Sequence, residues 1–345
     1  MAFYTLIWFG SLWLGGLSLG LMMFLVLRRV FTDRWRRRLK AHRDEMLSRL
    51  LDYLAEDEPA DDVKLAANAR DSRVLNEVIE HLLRSIRGEE RDRLVVVLRS
   101  LGGVDQRLKR LRRGKEWERV KAARALRHFD QPEVVTALRA ALDDSSSDVR
   151  GAAARALLAL GAVDSAQVLI DKLVIEGSLR PHAIRDIFRK LGRPFCDDLI
   201  AVLRSDVERA RIVAIDALGA SGELRVVDPL LRLISEGSKE ITANVFRALA
   251  LLGDPRALSV VMKGLGDSAW EVRCQAASCA GRIGAVEAKG LLARMLEDPN
   301  WWVRYRSAEA LHELGEQGVW ILRGLTVQST HAGETARLVV AEKAA

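Results

Sequence analysis

From residue 115 onward the hydrophobic residues recur at helical spacing, and this pattern itself repeats along the chain. Each unit closes with a segment of the kind "ALLALG", whose last two residues are Phe129-Asp130, Leu160-Gly161, Leu191-Gly192, Ser221-Gly222, Leu252-Gly253, Ile283-Gly284 and Leu314-Gly315. The steps between successive pairs are 31, 31, 30, 31, 31 and 31 residues. A period of this length predicts a solenoid of stacked helical units. No stretch alternates with period two over a useful length, so we expect no strands.

Each unit predicts two helices in the same order. An Asp opens the first helix, whose apolar face is rich in alanine, and a Gly closes it. A short turn then leads into a second helix with Leu and Val at helical spacing. Asp is a favoured N-cap residue, and Gly tolerates the left-handed conformation that ends a helix.

A ladder of charged residues accompanies the apolar pattern. An Asp is followed after five residues by an Arg and, after two more, by small residues, as in Asp144/Arg150/Ala153, Asp267/Arg273/Ala276 and Asp298/Arg304/Ser307. Arg119 and Arg211 fall at the same phase, whereas the fifth repeat has Thr242 there and the third is looser around residues 178–187. We expect the ladder to cap helices and to connect neighbouring units by hydrogen bonds, with direct ligand contact as the alternative.

This ladder resembles that of HEAT repeats, in the short form of roughly 30 residues found in bacterial HEAT-like proteins of the phycobilisome-lyase type. The resemblance covers residues 115–325, and the turn and aromatic signatures of ankyrin and tetratricopeptide repeats are missing. It implies an all-α fold class, a HEAT-like α-solenoid of about seven to nine helix pairs. We predict degenerate helical repeats in residues 44–114 and a capping helix and tail in residues 326–345.

The N-terminal segment has a different pattern, because residues 4–27 carry no charge. A helix of this length would extend about 36 Å, enough to cross a hydrocarbon core of about 30 Å. We therefore predict a single transmembrane helix within residues 1–27, followed by a basic juxtamembrane segment, residues 28–43. The basic residues that would set the topology and contact anionic headgroups are Arg28, Arg29, Arg34, Arg36, Arg37, Arg38, Lys40 and Arg43.

Small residues lie on this predicted span, at Ser11, Gly15, Gly16 and Gly20. Small residues let another membrane helix approach closely, although glycine is also simply common in such spans. With the basic segment on the inner side, we expect the bacterial inner membrane, the N-terminus outside and the solenoid in the cytoplasm.

The net charge argues against a nucleic-acid partner. The chain carries +7 in all, and residues 28–43 alone account for +7, so the remaining residues sum to zero. Binding a phosphate backbone along a repeat surface needs excess positive charge on that surface.

No constellation of residues indicates catalysis. The six histidines are scattered, and phosphate-binding glycine loops, nucleophile elbows and CxxC pairs are missing from the sequence. The three cysteines, Cys196, Cys274 and Cys279, are interpreted as small buried residues of a protein in a reducing compartment. We therefore predict no catalytic residue, no metal, no cofactor and no small-molecule substrate.

Tryptophans occupy repeat positions that are otherwise polar. The residue three before the repeat arginine is Trp270 or Trp301 in two repeats, and the next position is Trp117 or Trp302 in two. Trp270 and Trp301 stand one repeat apart, so stacking should bring them to one edge, about 10 Å from each other. Since tryptophan is enriched in binding hot spots, we predict a protein-docking patch at Trp270, Trp301 and Trp302. The alternative, favoured for Trp117, is that each ring covers the seam to its neighbouring repeat.

A span followed by HEAT-like repeats resembles accessory subunits of membrane-embedded processive glycosyltransferases that make exopolysaccharide. The resemblance implies a non-catalytic, membrane-tethered scaffold or regulatory subunit whose partner is an integral membrane protein of this kind. Two alternatives stay open. The repeat type also resembles phycobilin lyases, which act on a tetrapyrrole, and nucleic-acid-binding solenoids such as HEAT-like DNA glycosylases.

Overall fold

A computed structural model describes residues 20–29, 31, 40–52, 69–83, 85–86, 88–175, 181–191, 193–235 and 237–344. The chain divides into two compact units, Met1–Arg107 and Leu108–Ala345. Within the described ranges all regular secondary structure is helical, as the missing period-two alternation predicts.

The first unit contains helical residues 20–29 and 40–52. It also holds α1 (Ala69–Leu82), α2 (Glu89–Ser100) and the beginning of α3 (Gly103–Arg113). Acidic residues in the first turn of α2 and Arg99 in its last turn complement the helix dipole. The apolar faces of these helices are buried, including Leu50, Leu75, Ile79, Leu94 and Leu98.

The transmembrane helix predicted within residues 1–27 is wrong as an element of this fold. In the described part of the chain, no helix is both long and apolar enough to cross a membrane. The helical stretch described there covers residues 20–29.

Some residues predicted for that span and its basic flank fall outside the described ranges, namely Ser11, Gly15, Gly16, Arg34, Arg36, Arg37 and Arg38. Gly20 is described, and a Cβ built on it would have no described atom within 4 Å. The other basic residues, Arg28, Arg29, Lys40 and Arg43, lie in described helical stretches.

The second unit alternates long and short helices. After α3 come α4 (Glu116–Leu126), α5 (Pro132–Ala140), α6 (Ser147–Ala159), α7 (Ala166–Ile170), α8 (Pro181–Leu191), α9 (Cys196–Val202), α10 (Glu208–Gly219), α11 (Val227–Leu233), α12 (Lys239–Leu252), α13 (Leu258–Gly264), α14 (Trp270–Arg282), α15 (Lys289–Met295), α16 (Trp301–Glu313), α17 (Glu316–Leu325) and α18 (His331–Ala344). The even-numbered helices from α4 to α16 each pack on the next and form the long-helix layer. The odd-numbered helices from α5 to α17 form the short-helix layer.

Glycine ends the long helices as the repeat pattern predicts. Gly253 ends α12 with φ 66° and donates its N–H to the carbonyl oxygen of Leu249 at 2.9 Å. The corresponding glycine after α14, Gly284, has φ 67°. Side chains with a Cβ are strained at such angles, so the glycine period marks where each long helix stops.

Small residues let the long helices approach closely. A Cβ added to Gly219 in α10 would lie 2.7 Å from the Cα of Ala248 in α12, and one added to Gly281 in α14 would lie 2.9 Å from the Cα of Ala310 in α16. The alanine-rich face of the repeat pattern is therefore the seam between adjacent long helices. Larger apolar side chains, such as Phe188 and Phe246, fill the space between the two layers and are fully buried.

The Asp and Arg ladder joins one repeat to the next, as predicted. Arg119 donates from Nε and Nη2 to the two carboxylate oxygens of Asp144, both at 2.8 Å. Arg273 makes the same pair with Asp298, at 2.8 and 3.1 Å. The Nη1 atom of Arg273 also donates to the carbonyl oxygen of Asp267 in its own repeat, at 2.8 Å. One guanidinium thus holds the start of its own helix and the turn of the following repeat.

The ladder aspartates do not cap the long helices directly, which corrects the prediction. Asp298 accepts the N–H of Asn300 at 2.8 Å, and Asn300 is the N-cap, accepting the N–H of Trp302 at 2.9 Å. Asp144 accepts the N–H of Ser146 in the same way, at 2.8 Å. The reason is that each long helix starts three residues after its Asp, so the carboxylate shapes the turn and stays available for the arginine of the preceding repeat.

The ladder has a natural gap at Thr242. This residue occupies the arginine position of the fifth repeat, and the carboxylate of the following aspartate, Asp267, accepts only the N–H of Ala269, at 2.8 Å, among its described hydrogen bonds. Asp267 and Asp298 therefore form the same local turn, and only Asp298 also pairs with an arginine.

Replacing Asp298 with Asn should destabilise the protein, whereas Asp267→Asn should not. Asn keeps the acceptor for the turn in both variants, but only Asp298→Asn leaves a half-buried guanidinium without its carboxylate. We expect a loss of about 1–3 kcal/mol in the free energy of unfolding for Asp298→Asn and under about 0.5 kcal/mol for Asp267→Asn. Urea unfolding followed by circular dichroism measures both, and equal losses would contradict the role of the ion pair.

The pair between Arg119 and Asp144 should make stability depend on pH. Burial by itself would raise the pKa of the Asp144 carboxyl, but hydrogen bonds from Arg119 and the Ser146 N–H, with the charges of Arg119 and Arg150, hold it below 3.8. A carboxyl whose pKa is lower in the folded state stabilises that state above its unfolded pKa and loses the effect as the pH falls through the folded value.

The stability difference between the wild type and Asp144→Asn should therefore be full at pH 7 and shrink as the pH falls below 3.8. Urea unfolding of both proteins between pH 7 and pH 3 measures it. A difference that stays constant or grows toward low pH would show that the charge of Asp144 does not matter.

Candidate protein-binding surface

The first turns of adjacent long helices meet along one edge of the second unit, and aromatic side chains collect there. Trp270 begins α14, and Trp301 and Trp302 begin α16. Their exposed fractions are 40%, 42% and 50%. With Tyr305, one turn further along α16, they form what we call the aromatic edge. The structure thus places Trp270 and Trp301 at equivalent positions of consecutive repeats, with Trp302 at the next position of α16.

The rings on α16 hold one another in place. Trp301 and Trp302 meet edge to face with centroids 4.7 Å apart, and Trp301 stacks on Tyr305 with centroids 5.2 Å apart and planes 15° apart. The hydroxyl of Tyr305 donates to Glu342 of α18 at 2.9 Å. This hydrogen bond, with burial, raises the pKa of Tyr305 to about 12, so the hydroxyl remains a donor at neutral pH. The capping helix therefore fixes the orientation of the aromatic edge.

A shallow groove of about 480 Å³ runs beside Trp270. Lys239, Glu271, Arg273, Pro299 and Asn300 line the rest of it. Lys239 donates to Glu271 at 3.2 Å, linking α12 to α14 across the groove. The groove therefore offers an aromatic wall next to paired charges, a combination suited to a polypeptide rather than to a purely apolar ligand.

Two other tryptophans lie apart from the aromatic edge. Trp117, in the first turn of α4, is 65% exposed, so it covers little of the seam to the next repeat. Trp320 on α17 is more exposed still and was missed by the sequence analysis. The tryptophan pattern in the sequence concerns positions of the first helix of each repeat, and α17 is a second helix.

A second groove crosses the middle of the long-helix layer. Its volume is about 660 Å³, and it extends over α8, α10 and α12. At its base lies Asp216, which is only 6% exposed. Arg189 donates to Asp216 from Nε at 3.0 Å and from Nη2 at 3.2 Å. Arg247 donates from Nη2 at 3.3 Å, and the Nε of Arg185 lies 3.7 Å from the same carboxylate.

We call this feature the arginine groove. Burial is the largest influence on Arg247 and lowers its pKa; Asp216 raises it, and the neighbouring charges of Arg185 and Arg189 lower it again. The sequence analysis did not single out this cluster. The sequence does contain a sign of it: Arg185, Asp216 and Arg247 are spaced 31 residues apart. They therefore occupy the same position in three successive repeats, with a negative charge between two positive ones.

The described residues offer little for metal or thiol chemistry. Within them, no group of three or more His, Cys, Asp or Glu side chains comes together in a way that could hold a metal ion. All three cysteines are buried and free. Burial raises the pKa of Cys279 to about 12 and also raises that of Cys274, so neither forms a thiolate near neutral pH.

The native protein should therefore react slowly with Ellman's reagent at pH 8. We expect no fast-reacting thiol in the folded state and three after unfolding in guanidinium, because the thiols are buried and those of Cys274 and Cys279 stay protonated. Reaction of a folded-state thiol at the rate of free cysteine would contradict the burial described here.

A family model described as HEAT repeats matches residues 104–177, 196–269 and 260–326, more than half of the chain. The chain matches no curated protein sequence. Among solved structures, it is similar to importin beta at 12% identity, covering 87% of this chain and 52% of the other, with a TM-score of 0.45. It is also similar to an engineered protein at 20% identity, covering 87% and 93%, with a TM-score of 0.38. Human deoxyhypusine hydroxylase matches at 19% identity, covering 72% and 99%, with a TM-score of 0.32. Similarities this weak carry no argument about function.

Proposed function

Since the chain belongs to the HEAT-repeat family, we propose that it is a non-catalytic scaffold that binds another protein through the aromatic edge. The observation that carries this proposal is the exposure of Trp270, Trp301 and Trp302, whose exposed fractions lie between 40% and 50%. Large apolar side chains in an unpartnered cluster are typical of protein-binding surfaces rather than of a repeat seam.

The geometry of the rings supports binding for a second reason. Trp301 is held between Trp302 and Tyr305, and Tyr305 is tied to Glu342. A cluster that is already ordered loses little conformational entropy when a partner covers it, so more of the contact energy appears as affinity. The neighbouring groove supplies polar groups, Lys239 and Asn300 among them, that a partner backbone can reach.

For the identity of the partner, an exopolysaccharide-synthesising glycosyltransferase stays our prediction, and its remaining support is the HEAT-like repeats, one of the two features in the resemblance. Such an enzyme would place this chain in the role of a regulatory subunit. The scaffold role itself does not depend on that identity, because it rests on the aromatic edge and the repeat fold.

Removing two tryptophans should release the partner. We expect the double variant Trp301→Ala/Trp302→Ala to recover at least about tenfold less partner, since hot-spot truncations cost about 2 kcal/mol or more each. Trp117→Ala is the matched control, because it removes an exposed tryptophan from a first helix far along the repeat array.

The measurement is crosslinking in the native cells followed by purification and quantitative mass spectrometry, with circular dichroism to show that the variants are folded. Equal partner recovery by the wild type and the double variant would show that the aromatic edge is not the docking surface. Loss of the partner with Trp117→Ala alone would show that the docking surface lies instead at the other end of the unit.

A further inference from the structure

We propose that the arginine groove binds acidic side chains of an extended peptide segment, and that this segment continues onto the aromatic edge. The inference rests on the proposed function and names the chemistry of the partner: a stretch of Asp or Glu residues followed by apolar or aromatic ones. The chain brings three guanidinium groups, from Arg185, Arg189 and Arg247, to the single carboxylate of Asp216.

Bracing the helices does not need three arginines. Arg189 alone satisfies Asp216 with two hydrogen bonds, at 3.0 and 3.2 Å. The Nη2 group of Arg247 donates to the same carboxylate and to the side-chain oxygen of Asn244, and Arg185 approaches only to 3.7 Å, beyond hydrogen-bond distance. A guanidinium has five N–H donors, so most donors of Arg185 and Arg247 are left over.

These arginine side chains are partly exposed to solvent. The side chains of Arg185, Arg189 and Arg247 are 48%, 44% and 38% exposed, whereas Asp216 is 6% exposed. The cluster therefore carries an excess of two positive charges at the mouth of a groove of about 660 Å³. Carboxylates are good ligands for such a site, because arginine can bind them through two parallel hydrogen bonds.

The walls of the groove favour a peptide over a nucleic acid. Ile184, Ile212 and Val213 provide apolar contacts beside the guanidinium groups. Glu208 and Glu240 stand on the rim, at the first turns of α10 and α12. Their charges would repel the evenly spaced phosphates of a nucleic acid, whereas a peptide can place one or two carboxylates between them and turn neutral residues toward the rim.

The two grooves are lined by adjacent residues at the start of α12. Glu240 lines the arginine groove and its neighbour Lys239 lines the groove at Trp270. Adjacent packed helices lie about 10 Å apart, so the distance from α10 to α16 is about 30 Å. An extended chain rises about 3.3 Å per residue and would cover that distance with roughly nine residues. The acidic and apolar parts of the segment should therefore be separated by about six to nine residues.

The test begins with selection of binders from a displayed library of random 16-residue peptides on the full-length protein. The enriched sequences should carry Asp or Glu in one part and Trp, Phe, Leu or Pro in the other. The best binder is then made with a fluorescent label, and its Kd is measured by anisotropy. Replacing its acidic residues with Asn or Gln should weaken binding at least about tenfold, a result that does not depend on the folding of any protein variant.

Variants of the groove provide the second measurement. Arg185→Gln should weaken peptide binding about threefold to tenfold without loss of stability, because Arg185 makes no described hydrogen bond to Asp216. Arg247→Gln should act in the same direction, with the thermal midpoint recorded alongside. Arg225→Gln is the matched control, since Arg225, just before α11, pairs with Asp197 in the first turn of α9 at 2.9 Å and does not line the groove. Its binding should match the wild type.

Two outcomes would overturn the inference. One is a selected set of peptides without acidic residues, or with Kd values unchanged by Arg185→Gln and Arg247→Gln. The other is that a 20-nucleotide single strand binds more tightly than any peptide and that Arg185→Gln and Arg247→Gln weaken its binding. If the native partner still depends on Trp301 and Trp302 in either case, the scaffold function stands and only the acidic-segment inference fails. If acidic peptides bind but recovery of the native partner does not depend on Trp301 and Trp302, the aromatic edge is not the docking surface and the proposed function is contradicted instead.

Discussion

The bidentate ion pair between an arginine of one repeat and the aspartate of the next joins the repeats of this chain. A single repeat of about 31 residues cannot bury its own apolar face, so stability has to come from contacts between neighbours. Arg273 meets Asp298 at 2.8 Å and also holds the carbonyl oxygen of Asp267 at 2.8 Å. The same atoms therefore fix the start of a long helix and its register against the next one.

Where the ladder is interrupted, other interactions take over between the long helices. Thr242 leaves the carboxylate of Asp267 without an arginine, and at that seam Lys239 of α12 donates instead to Glu271 of α14 at 3.2 Å. The third to fifth repeats are joined instead through Asp216, in the middle of the layer, by arginines from both sides. This second arrangement brings more positive charge to Asp216 than its carboxylate balances, and the surplus lies at the groove where we propose that an acidic segment binds.

The same repeat geometry explains why both surfaces lie on the long helices. Equivalent positions recur about one helix diameter apart, so a substitution in two adjacent repeats produces a neighbouring pair on the surface. Trp270 and Trp301 are such a pair, and Arg185 and Arg247 flank Asp216 by the same rule. A partner that lies along the layer meets a series of sites whose spacing is set by the fold.

The sequence by itself determined the repeat period, the helical class and the ends of the long helices. The reason is that each repeat needs a glycine at positive φ to end its long helix and alanines at the seam, and these residues recur at fixed intervals. It also identified the tryptophans, because they break a polar repeat position. An uncharged run, however, predicted a membrane span, whereas no helix in the described part of the chain is long and apolar enough to cross a membrane. Only the tertiary structure brought Arg189 to Asp216, 27 residues away and outside the repeat phase, and decided which charged groups remain open to a partner.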